Sequence, residues 1–120
     1  MIEKKNQQKA LFKTMTSNMS LNELQKYLKN IFTIRGFDKD DVEAKMLLLI
    51  EEVGELAKAI RKEKSDLNID YSRIENYDSV KGELADVLIV LISISNLVDV
   101  DLYEAIYEKE KINIERRWEK

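Results

Sequence analysis

Apolar residues recur every three or four positions in four segments of the chain, a spacing typical of amphipathic helices. The first of these segments begins at Ser20, and Glu23 three residues later completes the pattern of a capping box. Gly36 is expected to end this helix, because glycine is common just after helix ends. The apolar positions of the segment are Leu21, Leu24, Leu28, Ile31 and Phe32.

The second predicted helix begins after Asp38 and runs to about Lys64, with Asp40 and Asp41 near its positive N-terminal end. Its apolar residues form one broad face, which predicts that this side of the helix is buried. The residues on that face are Met46, Leu49, Ile50, Val53, Leu56, Ala57 and Ile60.

The same helix carries three glutamates within the stretch LLLIEEVGELAKAI. Glu51 and Glu55 lie opposite the broad apolar face, and Glu52 lies on its flank. Leu47 and Leu48 share the acidic side, so the helix is expected to be apolar on two sides with carboxylates between them. Carboxylates placed among leucines are costly to bury unless something offsets their charge.

The third predicted helix follows the polar stretch SDLNIDYSRIENYD and is expected at about Ser79–Leu97, with Asp78 as its N-cap. Every residue in 84–92 is apolar except Asp86. A helix that is apolar all round is expected to be central and buried. Glu83 and Asp86 are therefore expected to enter the interior at the start of the most buried element.

The fourth predicted helix begins near Asp101 and runs into the C-terminal stretch KEKINIERRWEK. Its apolar stripe consists of Leu102, Ile106, Ile112 and Trp118. Its polar side carries Lys109, Asn113, Arg116 and Arg117. Residues 1–19 are polar and lysine-rich, and we expect them to form a partly ordered extension to one domain formed by residues 20–120.

Composition narrows the fold and the chemistry. The chain has no proline and only three glycines, which favours long helices and an all-α fold with a four-helix core. It has no cysteine and no histidine, which excludes disulfides, zinc–thiolate sites, Ser-His-Asp catalysis and Glu-x-x-His metal sites. Any chemistry must therefore use carboxylates, lysine, arginine, hydroxyls or a bound metal.

The charge and the apolar runs bear on partners and location. A net charge of −3 gives no indication of binding to a nucleic-acid polymer. The N-terminal stretch is too polar for a signal peptide, and the longest apolar run, VLIVLISIS, is too short to span a bilayer. We therefore expect a cytoplasmic protein that does not bind membranes.

The spacing of the carboxylates indicates a metal site. Residues three apart on a helix are neighbours, so Glu52 pairs with Glu55, and Glu83 pairs with Asp86 on a facing helix. Four carboxylates in a partly buried cleft would repel one another, and one or two divalent cations would remove that repulsion. Ligation by oxygen alone suits Mg²⁺ or Mn²⁺, and Mg²⁺ commonly bridges to substrate phosphates.

Two simpler interpretations remain open. The glutamates of the second helix can be solvated charges that pair with Lys58, Arg61 or Lys62. Glu83 and Asp86 can be favoured by the helix dipole, although this explains Asp86, a turn further in, less well. On spacing alone, neither the metal site nor these interpretations outweighs the other.

The motifs EEVGEL and GELADV resemble the E-E-x-x-E … E-x-x-D signature of the MazG-like, all-α nucleotide pyrophosphohydrolases. Lys109, Asn113 and Arg116 match a K-x-x-x-N-x-x-R pattern in the last helix of that family. The resemblance covers about residues 20–118 and implies the all-α NTP pyrophosphatase fold, assembled as a helical homodimer or tetramer. The apolar surface of the second and third helices, which exceeds what four helices would cover, points the same way.

The resemblance also implies a reaction: hydrolysis of a nucleoside triphosphate between the α- and β-phosphates, giving a monophosphate and pyrophosphate. By position, the ligands of Mg²⁺ would be Glu52, Glu55, Glu83 and Asp86. Glu51 and Glu52 would be the catalytic carboxylates, with Glu51 aiding a second metal or orienting the attacking water. Phosphate or sugar would contact Lys109, Asn113 and Arg116, and Phe37 is a candidate for stacking on the base.

Alternatives within and outside the enzyme class remain. Dimeric all-α dUTPases share the carboxylate pattern, and phosphoribosyl-ATP pyrophosphatases belong to the same superfamily. Some relatives carry a tryptophan just after the first motif, where this chain has Arg61 and Lys62, so a preference for modified cytosine does not follow. A non-catalytic helical oligomerisation module is the alternative from another class.

Overall fold

The computed structural model describes residues 1–64 and 79–119, and within them the chain forms five α-helices and no strand. The all-α fold predicted from composition and periodicity is therefore confirmed. The helices are α1 (Ile2–Phe12), α2 (Leu21–Arg35), α3 (Val42–Lys64), α4 (Val80–Leu97) and α5 (Leu102–Ile114).

Local capping explains where α2 begins and ends. The Ser20 hydroxyl accepts a hydrogen bond from the Glu23 backbone N–H at 3.1 Å, and the Glu23 carboxylate accepts one from the Ser20 N–H at 3.2 Å. This reciprocal pair is the predicted capping box. Gly36 takes φ +84°, a left-handed conformation that glycine adopts at little steric cost, and it ends the helix as predicted.

Single side chains also cap α3 and α4. The carboxylate of Asp41 accepts a hydrogen bond from the Ala44 N–H at 2.7 Å, so α3 starts at Val42, later than the predicted start after Asp38. The hydroxyl of Ser79 accepts one from the Gly82 N–H at 3.1 Å at the start of α4. The predicted cap of this helix, Asp78, and the polar stretch before it lie outside the described residues.

The last helix is shorter than predicted. The carboxylate of Asp101 caps α5 by accepting a hydrogen bond from the Glu104 N–H at 3.0 Å, which agrees with the predicted start. The helix ends at Ile114, so the placement of Arg116 and Trp118 in its last turns is wrong. The Trp118 indole N–H instead donates to the backbone carbonyl of Asn113 at 2.9 Å, which folds the tail back on the helix end.

The polar N-terminal segment contains a helix, α1, which packs against α2. The Arg35 Nε donates to the Gln8 side-chain oxygen at 2.8 Å and links the end of α2 to α1. The expected domain boundary between residues 19 and 20 stays a prediction.

The chain divides into two compact units, and each has its own interior. The first unit comprises Met1–Asp40 and Ser95–Lys120, and the second comprises Asp41–Ile94. Four apolar residues of α2 are buried in the first unit, namely Tyr27, Leu28, Ile31 and Phe32. Among the described residues of the second unit, the buried apolar ones are Ala59, Val90 and Ile92.

The interior of the first unit contains a buried glutamine that joins distant parts of the chain. The Gln25 side-chain amide donates to the Ser95 hydroxyl at 2.9 Å, the Asn96 side-chain oxygen at 3.3 Å and the Val100 carbonyl at 3.0 Å. Its oxygen accepts a hydrogen bond from the Leu102 N–H at 2.9 Å. Buried polar groups are stable only when hydrogen-bonded, so this residue fixes the turn before α5 against α2.

Within the single chain, the apolar faces of α3 and α4 are only partly covered. Ile50 is 64 % exposed and Leu84 is 53 % exposed. Other exposed residues on these helices are Met46, Leu47, Val53, Ile60, Leu88 and Leu91. The expectation that α4 is buried all round is therefore wrong for the chain alone, whereas the expected excess of apolar surface is confirmed. Periodicity identifies which residues avoid water, but it does not identify what covers them.

Within residues 1–64 and 79–119, none of the helices combines the length and the hydrophobicity that a transmembrane helix requires. The cytoplasmic location expected from the sequence stays a prediction.

Candidate active site

The carboxylates of Glu52, Glu83 and Asp86 come together in the second unit. One oxygen from each residue lies within 4.8 Å of the others. Glu52 belongs to α3, whereas Glu83 and Asp86 lie one turn apart on α4, so the group joins the two helices. The three-residue spacing of E-x-x-D puts both α4 carboxylates on one side of that helix, as the sequence predicts.

The three side chains differ in their access to water. Glu83 is only 6 % exposed and its Oε2 atom is fully buried, Glu52 is half-buried, and Asp86 is more accessible than Glu83. The group, which we call the acidic triad, is therefore closed at Glu83 and open to ligands at Asp86.

The acidic triad concentrates negative charge. At a separation of 4.8 Å, two full negative charges repel by about 3 kcal/mol at an effective dielectric constant near 20, and water at the open side reduces this figure. Glu52 and Glu83 also make other interactions within the chain. Three carboxylate oxygens at this spacing form a donor set that suits a hard divalent cation such as Mg²⁺ or Mn²⁺.

The other two glutamates of the first motif lie differently. Glu51 and Glu55 are both exposed on α3, and among the described residues neither belongs to the acidic triad. Desolvation, together with the positive charges of Lys58 and Arg61, lowers the pKa of Lys62, and the negative charge of Glu55 opposes this shift. The negative charge of Glu55 thus acts on a lysine of its own helix, and its assignment as a metal ligand stays a prediction.

The predicted phosphate-binding residues belong to the first unit. Asn113 is half-buried on α5 and its side-chain amide donates to the Glu110 carboxylate at 2.9 Å. Lys109 is exposed one turn earlier, and Arg116 is exposed beyond the helix end.

The candidate base-stacking residue, Phe37, also belongs to the first unit. Its ring centroid lies 6.2 Å from that of Phe32 at an interplanar angle of 51°, a tilted aromatic contact. The side chain is 45 % exposed, so part of the ring remains available to a ligand.

A buried lysine on α3 was not predicted. Lys45 is 7 % exposed and lies two helical turns before Glu52 on the same face, which also carries the buried Ala59. The heptad spacing of these three residues is the signal that would have found it. The buried stripe of α3 thus consists of Lys45, Glu52 and Ala59, whereas the purely apolar face of the helix is exposed to solvent.

Comparison with protein families adds an independent finding. The family description "MazG nucleotide pyrophosphohydrolase domain" matches residues 40–117, which is about two thirds of the chain. The matched segment contains the acidic triad and all three predicted phosphate-binding residues, but neither α1 nor α2. No curated protein matches the chain significantly.

Proposed function

Because the chain belongs to the MazG nucleotide pyrophosphohydrolase family and is a hydrolase acting on nucleotide anhydride bonds, we propose that it cleaves nucleoside triphosphates in a Mg²⁺-dependent reaction. The bond broken is the α–β phosphoanhydride, and the products are a nucleoside monophosphate and pyrophosphate. The observation that carries this proposal is the acidic triad, which lies inside the family match.

Glu52, Glu83 and Asp86 would hold the cation, with Glu55 as a further ligand. When bound, Mg²⁺ or Mn²⁺ neutralises phosphate charge and polarises a phosphoryl oxygen. Burial of Glu83 supports its role, because a side chain fixed in the interior keeps its oxygens in place without loss of further conformational freedom.

A carboxylate next to the triad would manage the proton of the attacking water. Hydrolysis joins the oxygen of water to phosphorus, breaks the α–β anhydride bond and releases one proton. Glu51 precedes Glu52 on α3 and is exposed, so its carboxylate is accessible to solvent and can orient that water or accept its proton. Glu52 is the second candidate for this role, since it is half-buried within the triad.

The cationic and polar residues of the tail would bind the anionic part of the substrate. Lys109 and Arg116 supply positive charge for phosphates, and charge-assisted hydrogen bonds of this kind are the strong ones. Asn113 is half-buried and held by Glu110, which limits the orientations of its amide toward a phosphate or sugar. Phe37 would stack on the base.

A second copy of this chain is proposed to cover the apolar faces of α3 and α4. Contiguous exposed apolar surface on a small protein marks an interaction site, and closed symmetric dimers are the commonest assembly. Support comes from the exposure of Ile50, Leu84 and their neighbours on both helices. A homodimer, or a tetramer built from dimers, would bury them.

Pyrophosphate release tests the proposed activity. Wild type is expected to release pyrophosphate from at least one triphosphate when Mg²⁺ is present and to stop when EDTA is added. A panel of canonical and noncanonical dNTPs and NTPs, with dUTP and phosphoribosyl-ATP, separates the three enzyme types.

Matched variants assign the activity to the triad. Glu52→Gln and Glu83→Gln should lower kcat by at least about 100-fold with the fold retained, because each removes one anionic ligand. Glu43→Gln, an exposed change in the first turn of the same helix, should leave kcat within about twofold. No release from any substrate, by a chain that still assembles into oligomers, would instead identify a non-catalytic module.

A further inference from the structure

The charge of the chain is unevenly distributed along its sequence. Residues 1–36 contain seven Lys and Arg and two Asp and Glu, so they carry a net charge of +5, whereas the whole chain carries −3. The basic segment consists of α1, α2 and their connection, and it lies outside the family match. A basic segment on an acidic protein indicates an anionic partner.

Some of these positively charged residues line a cleft between α1 and α2. Its volume is about 330 Å³, which is within the range of small-molecule sites. Lys5 and Lys9, one helical turn apart on α1, line it together with Arg35 at the end of α2. No acidic residue is among those that line it in the described part of the chain.

Arg35 is held in place before any ligand binds. Its Nε donates to the Gln8 side-chain oxygen at 2.8 Å, and its guanidinium carbon lies 6.0 Å from the centroid of the Phe32 ring. The bond at Nε leaves the two terminal nitrogens of the guanidinium for a ligand. A fork fixed in this way suits the bidentate recognition of a phosphate.

Aromatic rings form the apolar part of the same cleft. Tyr27 is 8 % exposed and forms a buried wall, whereas Phe12 is 64 % exposed at the end of α1. An exposed ring beside cationic groups is the combination used to stack a base next to its phosphate.

Another cleft of the same unit provides a contrast. It has a similar volume, but Asp99 and Asp101 line it with a single lysine, Lys29. Those carboxylates would repel a phosphate. The two clefts of this unit therefore differ in the sign of the charge that lines them.

We propose that the cleft between α1 and α2 binds a nucleotide, with Lys5, Lys9 and Arg35 on the phosphate and Phe12 stacked on the base. The cleft has the volume of a small-molecule site and only three cations among the described residues line it, which favours a single nucleotide over a polymer strand that would need a continuous basic groove. This site lies outside residues 40–117 and does not depend on the proposed hydrolysis.

Binding of AMP to the full chain in excess EDTA tests the proposal, because removing divalent cations separates this site from hydrolysis. In ¹H–¹⁵N NMR spectra, AMP should shift amide signals of α1 and α2 in a saturable way. Adenosine and inorganic phosphate should each bind at least about tenfold more weakly, since each supplies half of the contacts.

Variants with a matched control locate the site. Arg35→Gln should weaken AMP binding by about tenfold, and Phe12→Ala by about fivefold. Lys13→Gln, on the same segment but outside the cleft, should leave Kd within about twofold. If Arg35→Gln lowers the thermal melting temperature, the double change Lys5→Gln and Lys9→Gln, on the exposed side of α1, takes its place.

Three results would overturn the proposal. AMP that shifts no α1 or α2 signals would do so, and so would equal losses in Lys13→Gln and Arg35→Gln, which indicate diffuse attraction. A single-stranded oligonucleotide that binds far more tightly than AMP would identify a nucleic-acid surface instead. A chain that binds AMP here but hydrolyses nothing refutes only the proposed function.

Discussion

Neutralising the buried member of the acidic triad should stabilise the protein while abolishing its response to Mg²⁺. Glu83→Gln keeps the shape of the side chain and removes one negative charge that lies within 4.8 Å of two others. Most substitutions of buried residues destabilise, so a gain in stability would be diagnostic of repulsion.

The size of the gain follows from the geometry. At the largest separation, 4.8 Å, each of the two pairs repels by about 3 kcal/mol at an effective dielectric constant near 20. Water reaches Glu52 and Asp86, and screened pairs of this kind are typically worth about 1 kcal/mol or less each. Relief of this repulsion therefore contributes about 1–2 kcal/mol to the free energy of unfolding without metal, or about 3–8 °C in melting temperature, and glutamine keeps the shape with which Glu83 makes its other interactions in the chain.

Thermal unfolding with and without Mg²⁺ provides the assay. If the triad binds Mg²⁺ with a Kd of about 1 mM, then about 10 mM Mg²⁺ stabilises wild type by about 1.4 kcal/mol. Glu83→Gln should lose most of that shift. The control, Glu43→Gln, should keep it and should lower the metal-free melting temperature slightly, since Glu43 lies in the first turn of α3 where the helix dipole favours a negative charge.

A lower metal-free melting temperature for Glu83→Gln, together with an unchanged Mg²⁺ shift, would refute this reasoning. The carboxylates would then be balanced by cations of the chain itself, and the metal site would have to lie elsewhere.

Three further outcomes are expected. Gln25→Ala should cost about 2–4 kcal/mol in urea unfolding, because it leaves several buried partners without their hydrogen bonds. Ile50→Lys should shift the proposed assembly toward monomer in light scattering after size exclusion, whereas Ile114→Lys, at a similarly exposed position on α5, should not. Two unchanged profiles would exclude this face as the interface. Gly36→Ala should destabilise the protein by about 1 kcal/mol, because φ at this position is +84°. Gly54→Ala should stabilise it by about 0.5–1 kcal/mol, because Gly54 lies in the middle of α3 with open space around a new Cβ. Equal effects of the two changes in urea unfolding would contradict this.

Helix boundaries were predictable where a cap is local. Ser20, Glu23 and Gly36 act within three or four residues of the helix ends that they define, so the sequence contains all that is needed. The end of α5 was not predictable in this way. No glycine or proline marks it, and the bond from the Trp118 indole to Asn113 depends on a reversal of the chain that no periodicity reports.

Contacts between residues far apart in the sequence were predicted only where a residue type was unexpected in its sequence context. The approach of Glu52 to Glu83 and Asp86 was expected because carboxylates among apolar residues require an explanation. Gln25 was not expected, since its partners lie 70 to 77 residues away and a lone glutamine in a helix is unremarkable in sequence. Lys45 was missed because an isolated lysine is usually solvated, and only its heptad spacing from Glu52 and Ala59 indicates otherwise.

The two faces of α3 suggest why the acidic residues lie where they do. If the purely apolar face had packed inside the single chain, Glu52 would point to bulk water, where a cation gains little from a carboxylate. In the structure the apolar face is exposed, and the stripe with Lys45, Glu52 and Ala59 is turned inward. If a second copy covers this hydrophobic surface, as proposed, the inner face of the helix is free to carry charge. Assembly and metal binding are then linked, and Ile50→Lys should weaken the Mg²⁺ shift as well as the oligomer if that linkage is correct.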